Sequence, residues 1–600
     1  MSENATPHGR PMLPGGAPVR IEGNRKQALE TSRNRLLVAG AVFALAFLGI
    51  GIRLVDLGLV EHRAATRVAH APAETATPTK APVRRADIVD RNGVLLATSL
   101  PIASLYADPA EILDAEEAAD KLSKTLPGLG RAEVLQKLRG GGRFVWLRRN
   151  LSPADQHAVN RLGLPGLAFR AGEQRVYPQG RLVSHVVGLT DIDGRGIAGI
   201  ERYFEKSLTA DAGEPSGRVT LSLDIRLQNI LYQELAAAKR TFRAISAAGL
   251  VLDAHSGEVM ALVSLPDYDP NAPEDALGDP GFNRVTKGVY EMGSTFKLFT
   301  AAMALDSGKV KLAGGYDASK PIRVARFTIN DYHGKNRWLS VPEILIHSSN
   351  IGAAMMAMDV GGQTQQKYLE RLGILRQASV ELPEVGVPLI PATWRDINTM
   401  TISYGHGIAV SPLQLGAAAT ALVNGGIARA PTLLRQDGPR RDGERVFSAD
   451  TSRKMRGLMR LVVQRGTGKN AQADGYDVGG KTGTAEKIVG GRYKKGALVS
   501  SFLGAFPMRD PRFVVLAVLD EPKGNKQTMN YATGGWVAAP VVGNVVRRIA
   551  PVLGLPPAGD AVTRLARLRA HRDETAETPT GPRKTDGGRA RLRGQRVAVN

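Results

Sequence analysis

The chain has 600 residues, 43% hydrophobic and 23% charged, an ordinary globular mix at a length that calls for more than one domain. It has no cysteine, which excludes disulfides, thiolate metal sites and cysteine nucleophiles, and its ten histidines form no HxxxH pair that would favour a zinc enzyme. The formal charge of +22 includes an Arg-rich C-terminal tail (Arg583, Arg589, Arg591, Arg593, Arg596) but no nucleic-acid motif, so no nucleic-acid partner is expected.

In chain order, residues 1–35 are polar and rich in Gly and Pro, a composition expected of a disordered tail. The 17 residues from Leu36 to Ile52 carry no charge, at the short end of the roughly 17–25 that span a bilayer. Arg10, Arg20, Arg25, Lys26, Arg33 and Arg35 precede them, which keeps the N-terminus in the cytoplasm and puts the bulk of the chain outside. A cleaved signal peptide has a shorter apolar core after a short basic start, so an uncleaved anchor over 36–57 is expected. Ala64 to Pro82 is rich in Ala, Thr and Pro and reads as a linker. A module over 64–218 mixes strand-like runs (Ala103–Pro109, Arg143–Arg149) with a helical stretch, Ala110–Leu126.

Beyond Arg218 the texture changes. Ile225–Arg243 reads as an amphipathic helix. Ala247–Asp253 and Glu258–Val263 flank Ala254-His255-Ser256-Gly257 as a hairpin. Long helical stretches follow, then three strands at Val478–Lys487, Ala497–Phe506 and Arg512–Leu519, and a last helix at Val537–Val552. This order predicts an α+β domain over 219–556, with one antiparallel sheet closed by segments distant in sequence and covered by helices. Residues 557–600 form a basic, disorder-like tail.

Three short elements inside this domain carry chemistry. Ser294-Thr295-Phe296-Lys297 sits where a loop enters a helix, so the lysine amine, three residues on, can reach the serine hydroxyl. A serine nucleophile needs a base, and a lysine serves only if burial or a nearby cation lowers its pKa. Ser348-Ser349-Asn350 follows the apolar run Ile344–Ile346. Lys481-Thr482-Gly483-Thr484 lies on a strand, where Lys481 supplies the neighbouring charge and Gly483 bares one face for a substrate backbone added as a strand. Singly, each has an ordinary alternative: an N-cap serine, a loop asparagine, a strand turn. Ser-x-Asn recurs without meaning at Ser2-Glu3-Asn4 and Ser32-Arg33-Asn34. The joint order and placement give the three their weight.

Together they resemble the active-site signature of penicillin-binding proteins and serine β-lactamases. Ala86 to Gly93, Arg175-Val176-Tyr177-Pro178 and Gly199-Ile200-Glu201 resemble the non-catalytic module of class B penicillin-binding proteins. Tyr404-Gly405-His406-Gly407, Ser411 to Gln414, Gly480 to Lys487 and Gly534 to Pro540 resemble the division-type members. Two departures touch only backbone geometry: Met292 stands where the family usually has proline, and Ala86 where it usually has glycine.

The resemblance implies a membrane-anchored D,D-transpeptidase that cross-links peptidoglycan stem peptides at the septum and is trapped by β-lactams at Ser294. It implies Lys297 as base, Ser348 as proton relay and Asn350 as the group orienting peptide and lysine. Lys481, Thr482 and Thr484 would hold the terminal carboxylate, and the Ser294 and Thr484 N–H groups would form the oxyanion hole. It implies no cofactor and no metal, an inner-membrane protein with a periplasmic catalytic domain, and a separate glycan polymerase and other division proteins as partners. Elongation-type transpeptidase, β-lactamase, and non-catalytic divisome scaffold or β-lactam sensor are the alternatives. The anchor and a module of over 100 residues argue against a β-lactamase, retention of all three elements argues against a scaffold, and the short cytoplasmic tail argues against a sensor. In the first module, Arg175 and Glu201 are expected either to dock partners or to form a structural ion pair.

Overall fold

The structure, a computed structural model, describes residues 85–209, 218–324, 327–438, 440 and 442–557, with four helical positions at 44, 45, 47 and 48. The expected tails, the linker and the rest of the expected anchor lie outside the described residues. Among those described, no helix is long and apolar enough to cross a membrane.

Residues 85–209 build a module around one sheet. The strands β1 (Ile88–Val89) and β2 (Leu95–Ala107) pair antiparallel, and the Asp90 carboxylate organises their turn by accepting from Asn92 and Val94 N–H groups. The helices α1 (Ala115–Thr125), α2 (Arg131–Leu138) and α3 (Pro153–Asn160) bury Leu122, Leu138 and Val159 against Leu105 of β2 and Leu147 of β3 (Val145–Leu151). A fourth strand, β4 (Leu167–Val176), pairs with β2 along its length. The helix expected from Ala110 starts instead at Ala115. Asp114 caps it there by accepting from Glu116 and Glu117 N–H, while Pro109–Glu111 makes a short turn capped by Asp108. A short strand, β5 (Val219–Thr220), pairs parallel with β1. Residues just past the expected boundary at 218 thus complete the first module's sheet.

Arg175 and Glu201 are buried and form an ion pair, Arg175 Nε to Glu201 Oε1 at 2.6 Å. Arg85 Nε reaches the other carboxylate oxygen at 2.5 Å, and its Nη2 donates to the Glu201 carbonyl at 2.6 Å. One carboxylate thus joins two buried guanidiniums, the three side chains coming from three distant segments, and Glu205 gives Arg85 a second partner at 2.8 Å. Breaking such a pair from one side leaves uncompensated buried charge, at a cost of about 3–5 kcal/mol. Glu201→Ala is therefore expected to lower the thermal midpoint of the purified chain by many degrees. A shift too small to resolve would show that water reaches these arginines.

The second module begins with α4 (Ile225–Thr241), capped by Asp224. Five strands form one antiparallel sheet in the order β8 (Gly479–Val489), β9 (Arg492–Phe506), β10 (Phe513–Asp520), β6 (Ser246–Asp253), β7 (Val259–Leu265). Both faces are covered along β6, β7 and β10, which are buried from end to end and read as nearly continuous apolar runs rather than alternating ones. On β6, Leu250 and Leu252 face the core that includes α8 (Pro412–Val423), while Ala247 and Val251 face α4 and the last helix, α10 (Ala539–Val552). β8 lies at the sheet edge. Gly490 and Gly491, both with positive φ, let β8 turn directly into β9, so this hairpin runs past the expected strand ends.

Candidate active site

The segment Gly293–Phe296 is a 3₁₀ turn that leads into α5 (Lys297–Asp306). Every residue from Lys297 to Leu305 is buried, which makes α5 a central helix and takes Lys297 below the surface. Gly293 has φ +56°, and a Cβ there would stand 2.7 Å from the Thr484 carbonyl oxygen and 3.1 Å from its nitrogen. Only glycine lets the turn meet the edge strand this closely. Met292 is buried with φ −89°, and its carbonyl accepts from the Thr295 hydroxyl.

Lys297 Nζ lies 3.0 Å from Ser294 Oγ, 2.6 Å from the Ser348 carbonyl oxygen, 3.1 Å from Ser348 Oγ and 2.7 Å from Asn350 Oδ1. Two of these four are pure acceptors, and a neutral amine has two hydrogens. With both N–H bonds directed to the carbonyl and to Asn350, the lone pair is left for the hydroxyls. Asn350 Nδ2 donates to the Asn330 carbonyl at 2.9 Å, which fixes the amide so that its oxygen faces the lysine. Burial lowers the Lys297 pKa well below the ordinary lysine value, the Lys481 charge lowers it further, and Asp331 opposes both.

Ser348 ends α6 (Val341–His347) in the left-handed region, φ 58°, and Ser349 caps α7 (Asn350–Val360) by accepting from Gly352 N–H. A non-glycine residue held there costs on the order of 1–3 kcal/mol, sustained only by its surroundings. This geometry sets Ser348 Oγ between two amines, 3.1 Å from Lys297 Nζ and 3.0 Å from Lys481 Nζ. Lys481 is fully buried, and burial lowers its pKa to about 7. Its side chain meets Ser348 and Thr482 rather than the solvent that would admit a carboxylate. Thr482 Oγ1 is 2.7 Å from Thr467 Oγ1, and Thr484 Oγ1 accepts from Gly534 N–H at 3.0 Å, leaving the Thr484 hydroxyl hydrogen free to donate. Gly483 is needed for a different reason from the expected one. A Cβ there would stand 2.3 Å from Ser501 Oγ and 2.5 Å from the Met292 carbonyl, so its bare face is filled by the protein itself.

The structure thus brings Ser294, Lys297, Ser348, Asn350 and Lys481 into one hydrogen-bonded cluster and sets Thr482, Gly483 and Thr484 beside it. It adds residues that no local motif marks. Asp331 accepts from Ser349 Oγ at 2.7 Å and from the Asn350 and Ile351 N–H groups at 2.5 and 3.0 Å. It caps α7 from a segment 18 residues upstream of Ser349. Thr467 likewise reaches Thr482 from the turn after α9 (Ala449–Arg465). Asp331→Ala is expected to cost about 1–2 kcal/mol of stability, the scale of a lost helix cap. It should also slow penicillin acylation, because Asn350 loses its seat. Wild-type acylation alongside a lowered melting point would restrict Asp331 to the cap.

Comparison with known proteins agrees with this geometry. Residues 247–547 match the family described as the penicillin binding protein transpeptidase domain, and residues 80–221 match the penicillin-binding protein dimerisation domain. The chain is 42% identical over 489 residues to the probable peptidoglycan D,D-transpeptidase FtsI of Caulobacter vibrioides, covering 80% of this chain and 83% of that one. It is 31% identical to the peptidoglycan D,D-transpeptidase FtsI of Escherichia coli K12, covering 80% and 85%. A crystal structure of a peptidoglycan synthetase from Bifidobacterium adolescentis shares the fold, with TM-score 0.63, 22% identity, and coverage of 80% of this chain and 97% of that one. The transpeptidase domain of penicillin-binding protein 3 from Burkholderia pseudomallei superposes with TM-score 0.51 at 34% identity, covering 56% and 97%. An active-site cluster, a two-module architecture and relatives of this similarity converge on one conclusion: the chain belongs to the penicillin-binding protein transpeptidases, with the dimerisation module and α+β catalytic domain of the division-type class B members.

Proposed function

We propose that this protein is a septal peptidoglycan D,D-transpeptidase that works through an acyl-enzyme on Ser294. The observation that carries the proposal is Lys297 Nζ, buried, 3.0 Å from Ser294 Oγ, with two pure acceptors, the Ser348 carbonyl and Asn350 Oδ1, within hydrogen-bond reach. Ser294 Oγ attacks the carbonyl of the penultimate D-Ala of a stem peptide, and its proton passes to Lys297. The Ser294 and Thr484 N–H groups receive the developing oxyanion; losing one such donor costs roughly 100–1000-fold in comparable enzymes. The C–N bond to the terminal D-Ala then breaks, and the leaving amine takes its proton through Ser348. Lys481 acts by its field and through Ser348, while Thr482 and Thr484 meet the terminal carboxylate. An amine of a neighbouring stem attacks the acyl carbonyl, forms the cross-link and frees Ser294. A β-lactam enters the same first step and stays, because its leaving group remains tethered.

The apolar run from Leu36 to Ile52 and its basic flank support a single anchor over 36–57 in the inner membrane, with a cytoplasmic tail over 1–35 and the bulk periplasmic. The remaining divisions are a pedestal over 64–218 that docks other division proteins and a glycan polymerase, a transpeptidase domain over 219–556, and a basic tail over 557–600. The test is reconstitution. Full-length chain in detergent, given lipid-linked precursor and a separate glycan polymerase, should release D-Ala and yield cross-linked muropeptides, both stopped by penicillin. D-Ala release without cross-links would make it a carboxypeptidase, and hydrolysis of penicillin without trapping would make it a β-lactamase.

A further inference from the structure

Glu291 lies three residues before Ser294 and has no part in the proton path. Its Oε1 accepts from the Gly407 N–H at 2.8 Å, and the Tyr493 hydroxyl donates to the carboxylate at 3.2 Å from either oxygen. These two donors sit on different walls of the site. Gly407 closes the loop Tyr404–Gly407, which meets the catalytic turn through its backbone: Gly293 N–H donates to the Gly405 carbonyl at 3.2 Å. The fit leaves no slack, since a Cβ on Gly405 would stand 2.1 Å from the Gly293 carbonyl oxygen. Tyr493 stands near the tip of the β8–β9 hairpin, opposite Ile488 and past a register shift between Glu486 and Ile488. Its ring lies 5.9 Å from the His406 ring, which lies 5.3 Å from Tyr404. One carboxylate therefore joins the turn bearing the nucleophile, the loop behind it, and the tip of the hairpin whose first strand carries Lys481 to Thr484.

We propose that Glu291 is a positioning residue: by clasping Gly407 and Tyr493 it sets Ser294 against the edge strand at the spacing acylation needs. The proposal rests on the acyl-enzyme reading above. The clasp works by hydrogen-bond acceptance, so an amide in its place keeps the geometry. Its loss lets the turn and the strand drift apart by a fraction of an ångström. Misplacement on the scale of 1 Å costs about 100-fold in rate, whereas ground-state binding of a small ligand depends on it far less.

The experiment uses full-length chain in detergent and fluorescent penicillin, with the acylation rate constant and the half-saturating concentration measured separately for wild type, Glu291→Ala, Glu291→Gln and Tyr493→Phe. Glu291→Ala should lower the rate constant by about 10- to 100-fold at an unchanged half-saturating concentration. Glu291→Gln should recover most of that rate, and Tyr493→Phe, which keeps the ring but loses one donor, should fall between. The clasp is overturned if Glu291→Ala acylates like wild type, if Glu291→Gln is as slow as Glu291→Ala, or if only the half-saturating concentration moves. Should Glu291→Ala fail to fold, the other two variants decide, and wild-type rates for Tyr493→Phe overturn the proposal. Failure here is separable from failure of the acyl-enzyme reading. If wild type is labelled and Ser294→Ala is not, only the clasp is lost.

Discussion

Ser294→Ala is expected to abolish covalent capture of penicillin while the protein stays folded. Removing the nucleophile of a comparable serine enzyme costs on the order of 10⁶ in rate, because no other group takes over bond formation. Here the loss should be complete in an end-point measurement, since the adduct is itself an ester of the missing oxygen. Folding should survive. Ser294 is only partly buried, and its hydroxyl meets Lys297, which keeps the Ser348 carbonyl and Asn350 as acceptors. Intact mass after incubation with penicillin should show one adduct on wild type, mapping to the peptide that contains Ser294, and none on the variant. An adduct on another serine, Ser348 above all, would move the nucleophile and sink the assignment.

Lys297→Arg is expected to fold but to acylate at least about 100-fold more slowly, the scale of general-base catalysis. The guanidinium keeps the charge, yet it stays protonated under any condition the protein survives and has no lone pair to offer. Burial and the Lys481 charge both lower the Lys297 pKa well below the ordinary lysine value. The sign of the pH effect follows. Wild-type acylation should rise with pH as Lys297 loses its proton, with a midpoint well below the ordinary lysine range, and the variant should lose this rising limb. A variant that acylates near the wild-type rate, or that keeps the limb, would transfer the base role to another group. Lys481, with its pKa lowered to about 7, is the next candidate.

The residue types of the candidate site, their order along the chain and the settings of Ser294, Lys297 and Lys481 were legible in the sequence. Ser-x-x-Lys at a helix entrance needs only the period of the helix to place amine and hydroxyl together. The apolar runs of β6, β9 and β10 marked strands of one helix-covered sheet, and the β8–β9 hairpin proved to run past its apolar part through Ile488, Arg492 and Tyr493. Their side chains continue the ladder into solvent, where hydropathy no longer reports pairing. The helix start at Ala115 was less legible, because an aspartate can cap either of two adjacent turns and both Asp108 and Asp114 do so.

What the tertiary structure alone decided are the long-range electrostatics and the close approaches. Lysines 184 residues apart share one serine hydroxyl only because α5 is a buried helix whose leading turn packs against the sheet's edge strand, and that burial, not the motif, shifts both pKa values. Gly483 looked like an opening for substrate. In the fold it is the point where the edge strand and the Ser294 turn touch, and a strand's pattern does not say what faces a missing side chain. Arg175 and Glu201 could have served a partner, but Arg85 closes the triad from another segment and buries it. Asp331 and Thr467 had no signal at all, since a side chain that holds a motif from afar is chosen by distance in space, which sequence spacing does not encode.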